Sequence, residues 1–316
     1  MKRMIPLLLL LCTLTACASG ASEAADPPAE TDPSAETAPQ EETALPDTMV
    51  GTSTFAQAAP EQLTYTVTLE TLENSAQAED GTVLVNRSYH LPMMTVERQD
   101  GTAVTAASTP AETAALAAAE TFNGQFQSWA ASDNFDEVAD WAEEAQASQA
   151  EAGEAAGAWT PYALELNCSV YQTKQLVSVR AEYYSYMGGA HPNTVLLAWN
   201  FDLGTGQFFT PELLAADGQA FSQAVTEELV RQSQETAASY DMTPEDFFWS
   251  NYEEILAGWS SYAVSFDETG MTVGFSPYEL AAYAAGAQIY HLDYDQIAGY
   301  LSSHGLAVLG LAAVEK

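Results

Sequence analysis

Three adjacent segments alternate apolar and polar residues with a period of two. One runs through Leu164, Leu166, Cys168 and Val170, the next through Val177, Val179, Ala181 and Tyr183, and the third through Val195, Leu197, Trp199, Phe201 and Leu203. That period puts alternate residues on opposite faces of a strand. The connections are shorter than the crossover of a dozen or more residues that parallel pairing requires. The chain must therefore contain an antiparallel meander whose single apolar face is covered by something else.

The cover is legible nearby. Thr109-Pro110-Ala111-Glu112 reads as a helix start, with a cap residue, a proline at the first helical position and a glutamate three after the cap. It predicts an Ala-rich helix to about Trp129. A second, acidic helix is expected from Phe135 towards Gln149, weakened at Gly153 and Gly157. Before them, Leu63, Tyr65, Val67 and Leu69 mark a strand, and Val83 to Val96 a second one interrupted at Pro92. After the meander come a turn at Gly204-Thr205-Gly206, helices at Gly218 to Ser239 and Thr243 to Leu256, and a hairpin from Phe266 to Phe275. Ser276-Pro277-Tyr278-Glu279 repeats the helix-start pattern, and Ile289 to Leu292 closes as a strand. Strand runs interleaved with separate helix runs define an α+β fold, antiparallel sheets packed with helices.

The N-terminus carries a different message. Lys2 and Arg3 precede an apolar run from Met4 through Leu11, and then Leu14-Thr15-Ala16-Cys17. This is the layout of a secretory signal, and the run is too short for a permanent membrane helix of about 20 residues. Leu-Thr-Ala-Cys resembles the lipobox of bacterial lipoproteins, which implies removal of residues 1–16, lipidation of Cys17 and a lipid anchor on the extracytoplasmic face of the cell membrane. Residues 17–60 are Ala, Glu, Thr, Pro, Ser and Asp with few large apolar side chains. Such a segment buries too little surface to offset its ordering entropy, so a disordered acidic tether is expected. The ordered part divides on this reading into an N-terminal strand-helix subdomain, 61–160, and an α+β domain, 161–312.

With Cys12 in the signal and Cys17 lipidated, Cys168 stands alone among the three cysteines, which leaves no intramolecular disulfide. The apolar core must hold the fold by itself, and 47% hydrophobic residues with six Trp can supply it.

Eight Lys plus Arg face 44 Asp plus Glu, a formal net charge of −36. Nucleic acid is excluded as a partner, because phosphates would be repelled. Docking on anionic lipid through a basic patch is excluded for the same reason, so membrane contact is expected only through the N-terminal lipid. A cationic protein would be drawn in, although acidity also serves solubility alone.

Two segments carry a family resemblance. One is Tyr183-Tyr184-Ser185-Tyr186-Met187-Gly188-Gly189-Ala190-His191-Pro192, followed by Trp199-Asn200-Phe201-Asp202-Leu203. The other is Phe275-Ser276-Pro277-Tyr278-Glu279-Leu280 with Ala281 to Gly286. Together they resemble the extracellular domain of the RsiV family of anti-sigma factors, a domain also found on peptidoglycan deacetylases of the PdaC type and on lipoproteins. The resemblance covers about residues 160 to 300, and 61–160 is similar to the domain that usually precedes it. It implies a receptor-like module whose ligand is lysozyme, a cationic muramidase, or an accessory module for peptidoglycan. Here a lipobox stands in place of the family's membrane helix and sigma-binding segment, so signalling to a sigma factor is not expected.

Gly188, Gly189, His191 and Pro192 lie between two strands, where glycine permits positive φ and proline restrains the exit. The loop is either a demanding connection in which His191 caps backbone groups, or a ligand-contacting rim held by a rigid sheet. Pro277 and Tyr278, at an exposed helix start, are the next ligand-binding candidates, since outward aromatics anchor partners. No enzyme is expected. His90, His191, His291 and His304 are scattered outside any metal or nucleophile motif, and no phosphate loop or dinucleotide fingerprint occurs. No metal and no cofactor is implied. Cys168, on an apolar strand face, reads as a buried inert thiol. Asp202, Asp293 and Asp295 leave open an undetected wall hydrolase or a Ca²⁺ site, and Asp133-x-x-Asp136-Glu137 lacks the glycine and terminal glutamate of an EF-hand loop.

Overall fold

In a computed structural model, which describes residues 63–132, 138–152 and 159–312, the predicted meander forms the middle of a larger sheet. Strand β1 (Leu63–Gln77) pairs antiparallel with β2 (Val83–Arg98). Their turn is set by Asp80 Oδ1, which accepts the Thr82 N–H at 2.9 Å, and by Gly81 at φ +86°. Strands β3 (Tyr162–Gln172), β4 (Leu176–Tyr186), β5 (Asn193–Asp202) and β6 (Gln207–Phe209) follow as antiparallel neighbours, and the sheet order is β1 to β6 without a break. The β2 to β3 pairing is parallel, so the sheet is mixed. Helices α1 (Pro110–Ser132) and α2 (Ala139–Ala152) lie in that connection and supply the crossover that parallel pairing needs.

Strand β2 is not interrupted at Pro92. It pairs with β3 only as far as His90, opposite Asn167, so beyond that point a residue without an N–H removes nothing on the β3 side. Helix α1 starts as the sequence predicts, with Thr109 Oγ1 accepting the Glu112 N–H at 3.2 Å. It buries Ala115, Ala119, Phe122, Phe126 and Ala130, one stripe at helical spacing. Phe122 and Phe126 meet Phe201, Phe208 and Trp199 on the inner sheet face, with ring centroids 5.0 to 6.5 Å apart. Phe122, Phe126 and Phe201, fully buried, contribute about 1.5–3 kcal/mol each. Cys168 lies on this inner face, buried as expected.

The second core is built by α3 (Gly218–Ser239), whose Phe221, Val225, Leu229 and Ala237 face inward. Asp217 caps it, accepting the N–H groups of Gln219 and Ala220. The helix expected at Thr243 to Leu256 is instead two short ones, α4 (Pro244–Phe247) and α5 (Tyr252–Ala257). Between them Trp249 N–H bonds to Leu280 O at 3.1 Å and Phe248 bridges Ala281, so the chain is pinned to a neighbouring segment rather than coiled. These helices, with α6 (Tyr294–Ile297) and α7 (Ser303–Leu309), surround an antiparallel sheet of β7 (Ala263–Phe266), β8 (Gly270–Phe275) and β9 (Gln288–Asp293).

A buried polar relay joins the two sheets. Asn200 Nδ2 donates to Val264 O at 2.8 Å, Ser178 Oγ donates to Asn200 Oδ1 at 2.8 Å, and Phe266 N–H donates to Ser178 Oγ at 2.8 Å. Ser178 and Asn200 project from the face opposite α1, so the small sheet covers one end of the outer face of the large one. The described residues belong to one compact unit, Gln57–Lys316. Among them no helix is long and apolar enough to cross a membrane. The signal at 1–16, Cys17, the tether at 17–60 and the positions Asp133, Phe135, Asp136, Glu137, Gly153 and Gly157 lie outside the described residues.

Candidate functional site

Residues nominated from two distant segments meet at the end of β4 and β5. Gly188 and Gly189 hold φ values of +81° and +93°, turning the chain after β4, and His191 and Pro192 lead into β5. Against them lies the segment between β8 and β9. The His191 ring stacks on Tyr283, with centroids 3.8 Å apart and planes 20° from parallel. Tyr278 lies beside both rings, its hydroxyl 3.4 Å from His191 Nε2 and its ring centroid 5.5 Å from that of Tyr283.

The hydrogen bonds determine the tautomer. His191 Nδ1 is 2.8 Å from Pro192 O, and a carbonyl only accepts, so Nδ1 carries a proton; in the neutral ring Nε2 is then the acceptor towards the Tyr278 hydroxyl. Tyr283 OH donates to the same Pro192 carbonyl at 3.0 Å. His191 thus caps a backbone group, as one of the two readings expects, and its ring is exposed at the end of the sheet.

Residues 276–280 do not start a helix. Tyr278 has φ +73°, a left-handed conformation that an aromatic residue rarely takes and that a helix excludes. Ser276 Oγ does not cap; it accepts the Leu196 N–H at 3.0 Å. The Glu279 carboxylate turns back to the Ser276 N–H at 2.5 Å, and Trp249 Nε1 donates to Tyr278 O at 3.0 Å. The strained turn is therefore held by three hydrogen bonds, while Tyr278 is 53% exposed and Trp249 beside it 38% exposed.

Tyr283 and Trp249 were not singled out from the sequence. Tyr283 stood inside the second family-like segment, and Trp249 ends an aromatic run, Phe247-Phe248-Trp249. Neither signal says that the ring faces solvent beside His191, because that depends on the pairing of Trp249 with Leu280.

The other nominated groups do not converge. His90 faces Asn167 at 3.0 Å, His304 pairs with Asp202 at 3.1 Å, and His291 lies between Thr269, Thr272 and Asp293. Asp293 N–H is bonded by Gln296 at the start of α6. Among the described residues no group of three or more His, Cys, Asp or Glu is placed to hold a metal ion. Burial pushes the Cys168 thiol up to about 12. A groove of about 590 Å³ runs between α3 and β9, but its carboxylates Glu228 and Glu235 are engaged by Arg231. The aromatic cluster offers flat ring faces, a tyrosine hydroxyl and a shared carbonyl. Such a surface can stack on a sugar ring or on a guanidinium and anchor a partner.

Comparison with known proteins agrees with this picture at the level of fold. Residues 109–194, spanning α1 to the start of β5, match the family model described as Deacetylase PdaC. A crystal structure of a member of the DUF3298 family from Bacteroides fragilis aligns over 79% of this chain and 97% of its own length, with a TM-score of 0.52 at 15% identity. A DUF3298 family protein from Pseudomonas aeruginosa aligns over 77% of this chain and 96% of its own, with a TM-score of 0.46 at 14% identity. None of the curated proteins matches this chain.

Proposed function

We propose that this chain is an extracytoplasmic binding module, held to a membrane by an acyl group on Cys17, that takes a basic cell-wall-active protein such as lysozyme at the Tyr278, His191 and Tyr283 cluster. Tyr278 carries the reading. An exposed aromatic in a left-handed conformation gains nothing for the core, and three hydrogen-bonding neighbours keep it there. Strain of this kind, about 1–2 kcal/mol per residue, is retained where a site needs it. The net charge of −36 favours a cationic partner over an anionic wall polymer, and Arg or Lys side chains stack on Tyr and Trp faces. The module binds and does not turn over its ligand.

Retention of lysozyme on the immobilised protein, measured in rising salt, tests the reading. Retention at low ionic strength that fades with salt and weakens in Tyr278→Asn is expected. No retention at low salt would refute it. Uptake of a lipid precursor by the parent and its loss in Cys17→Ala tests the anchor.

A second reading is supported by the match of residues 109–194 to a family described as a deacetylase. The module would then place a partner wall enzyme on peptidoglycan, with the same rings stacking on sugar. It predicts retention of peptidoglycan fragments that salt does not change.

A further inference from the structure

A small cavity lies between the two sheets. Strands β7, β8 and β9 turn Val264, Phe266, Met271, Val273 and Tyr290 into the second core, so alternation puts Ala263, Ser265, Thr272, Gly274 and Ile289 on their other face. That face lies over β4 and β5 and partly encloses about 100 Å³, with Arg180, Glu182 and Leu196 on the opposite wall. Gly274 permits the close approach, because a Cβ there would stand 2.9 Å from Leu196 Cδ1. The volume is several times the roughly 30 Å³ share of one water and far below the roughly 300 Å³ at which drug-sized pockets begin. It fits a molecule of amino-acid size.

Both signs of charge face this space. Arg180 and Glu182 are two residues apart on one face of β4, about 6.6 Å along the strand. Among the described residues neither makes an ion pair, with the other or with a third group. Opposite charges this close that do not meet leave room for a group between them. Ser265 is only 6% exposed, yet among the described residues its hydroxyl has no hydrogen-bond partner. Such a hydroxyl is costly to bury, and a ligand that bonded it would remove the cost. Thr272, opposite Ser265 in register, is held in place by His291 Nδ1 at 3.1 Å. Leu196 and Ala263 add apolar contact.

We infer that this cavity binds a small zwitterionic amino acid. Its carboxylate meets the Arg180 guanidinium, whose fork takes two oxygens at once, and its ammonium meets the Glu182 carboxylate. The Ser265 hydroxyl donates to the bound carboxylate, and a side chain no larger than that of valine rests on Leu196 and Ala263. A simple anion is disfavoured by the net charge of −36, which the ammonium group offsets. The site is separate from the proposed recognition of a basic protein and uses none of its rings.

Calorimetric titration of L-alanine and of D-alanine into the full chain, up to about 10 mM, tests it, since a ligand of so few atoms binds in roughly the micromolar to millimolar range. Saturable binding of at least one enantiomer is expected, weakened at least about tenfold in Arg180→Gln and in Glu182→Gln. Both positions are exposed, so the melting temperature without ligand is expected to hold in these variants. Ser265→Ala is expected to bind about three- to tenfold more weakly. N-acetyl-alanine and alanine amide, each lacking one charge, are expected to bind at least about tenfold more weakly than alanine. Absence of saturable binding by the parent overturns the inference, and so does binding that both charge variants leave unchanged. Acetate bound as tightly as alanine overturns it as well, since Arg180 would then hold any small anion. Lysozyme retention by Arg180→Gln is expected to match the parent, so failure of this site and failure of the aromatic site read out separately.

Discussion

The imidazole of His191 lies on the phenol ring of Tyr283, centroids 3.8 Å apart, and both side chains bond the carbonyl of Pro192. Two segments distant in the chain are thereby locked at one edge of the fold, with Tyr278 projecting from the junction. The site is an arrangement of rings and one carbonyl, and on the proposed reading it serves recognition.

Tyr278→Asn separates recognition from stability. Asparagine tolerates positive φ, so the strain is relieved while the ring is lost. The variant is expected to melt within about 0.5 kcal/mol of the parent, or above it, and to bind lysozyme at least about tenfold more weakly. A large drop in melting temperature would show that the ring serves packing.

Glu112 makes stability depend on acid. The Ser108 hydroxyl, then the Ser108 backbone N–H, and Arg98 hold its carboxyl at about 2, below the ordinary 4.5. The folded state therefore binds fewer protons than the unfolded one, and this contribution is complete above the ordinary value. It is lost as pH falls from there towards 2. Melting temperature against pH is expected to be shallower over that range in Glu112→Gln than in the parent.

Asn200→Ala breaks the relay between the sheets. Val264 O loses its donor and Ser178 Oγ its acceptor, both in buried surroundings. The expected loss is about 2–3 kcal/mol, read as a lower urea midpoint with an unchanged slope. A change within error would mean that the relay does not hold the sheets together.

Cys168, with its thiol pushed up to about 12 by burial, is expected not to react with a thiol reagent in the native protein at pH 8 and to react once urea unfolds it. Rapid labelling of the native state would contradict the burial.

Local patterns alone determined most elements here. The alternation through Leu164 to Leu203 produced the meander, because a period of two has one solution when one face is apolar. Thr109-Pro110-Ala111-Glu112 likewise placed the start of α1, and the helix expected at Gly218 to Ser239 is α3. Nominating His191 and Tyr278 was possible because both stand in family-like segments. Tertiary structure decided what depends on distant partners. It carried β2 through Pro92, broke the 243–256 helix at the Trp249 to Leu280 bond, and turned 276–280 into a strained loop rather than a helix start. Propensity weighs a residue against its neighbours in the chain, whereas hydrogen bonds such as that from Trp249 to Tyr278, 29 residues away, are made only after the sheets have packed. The same limit hid the ring pair of His191 and Tyr283, which exists only once the two segments have packed.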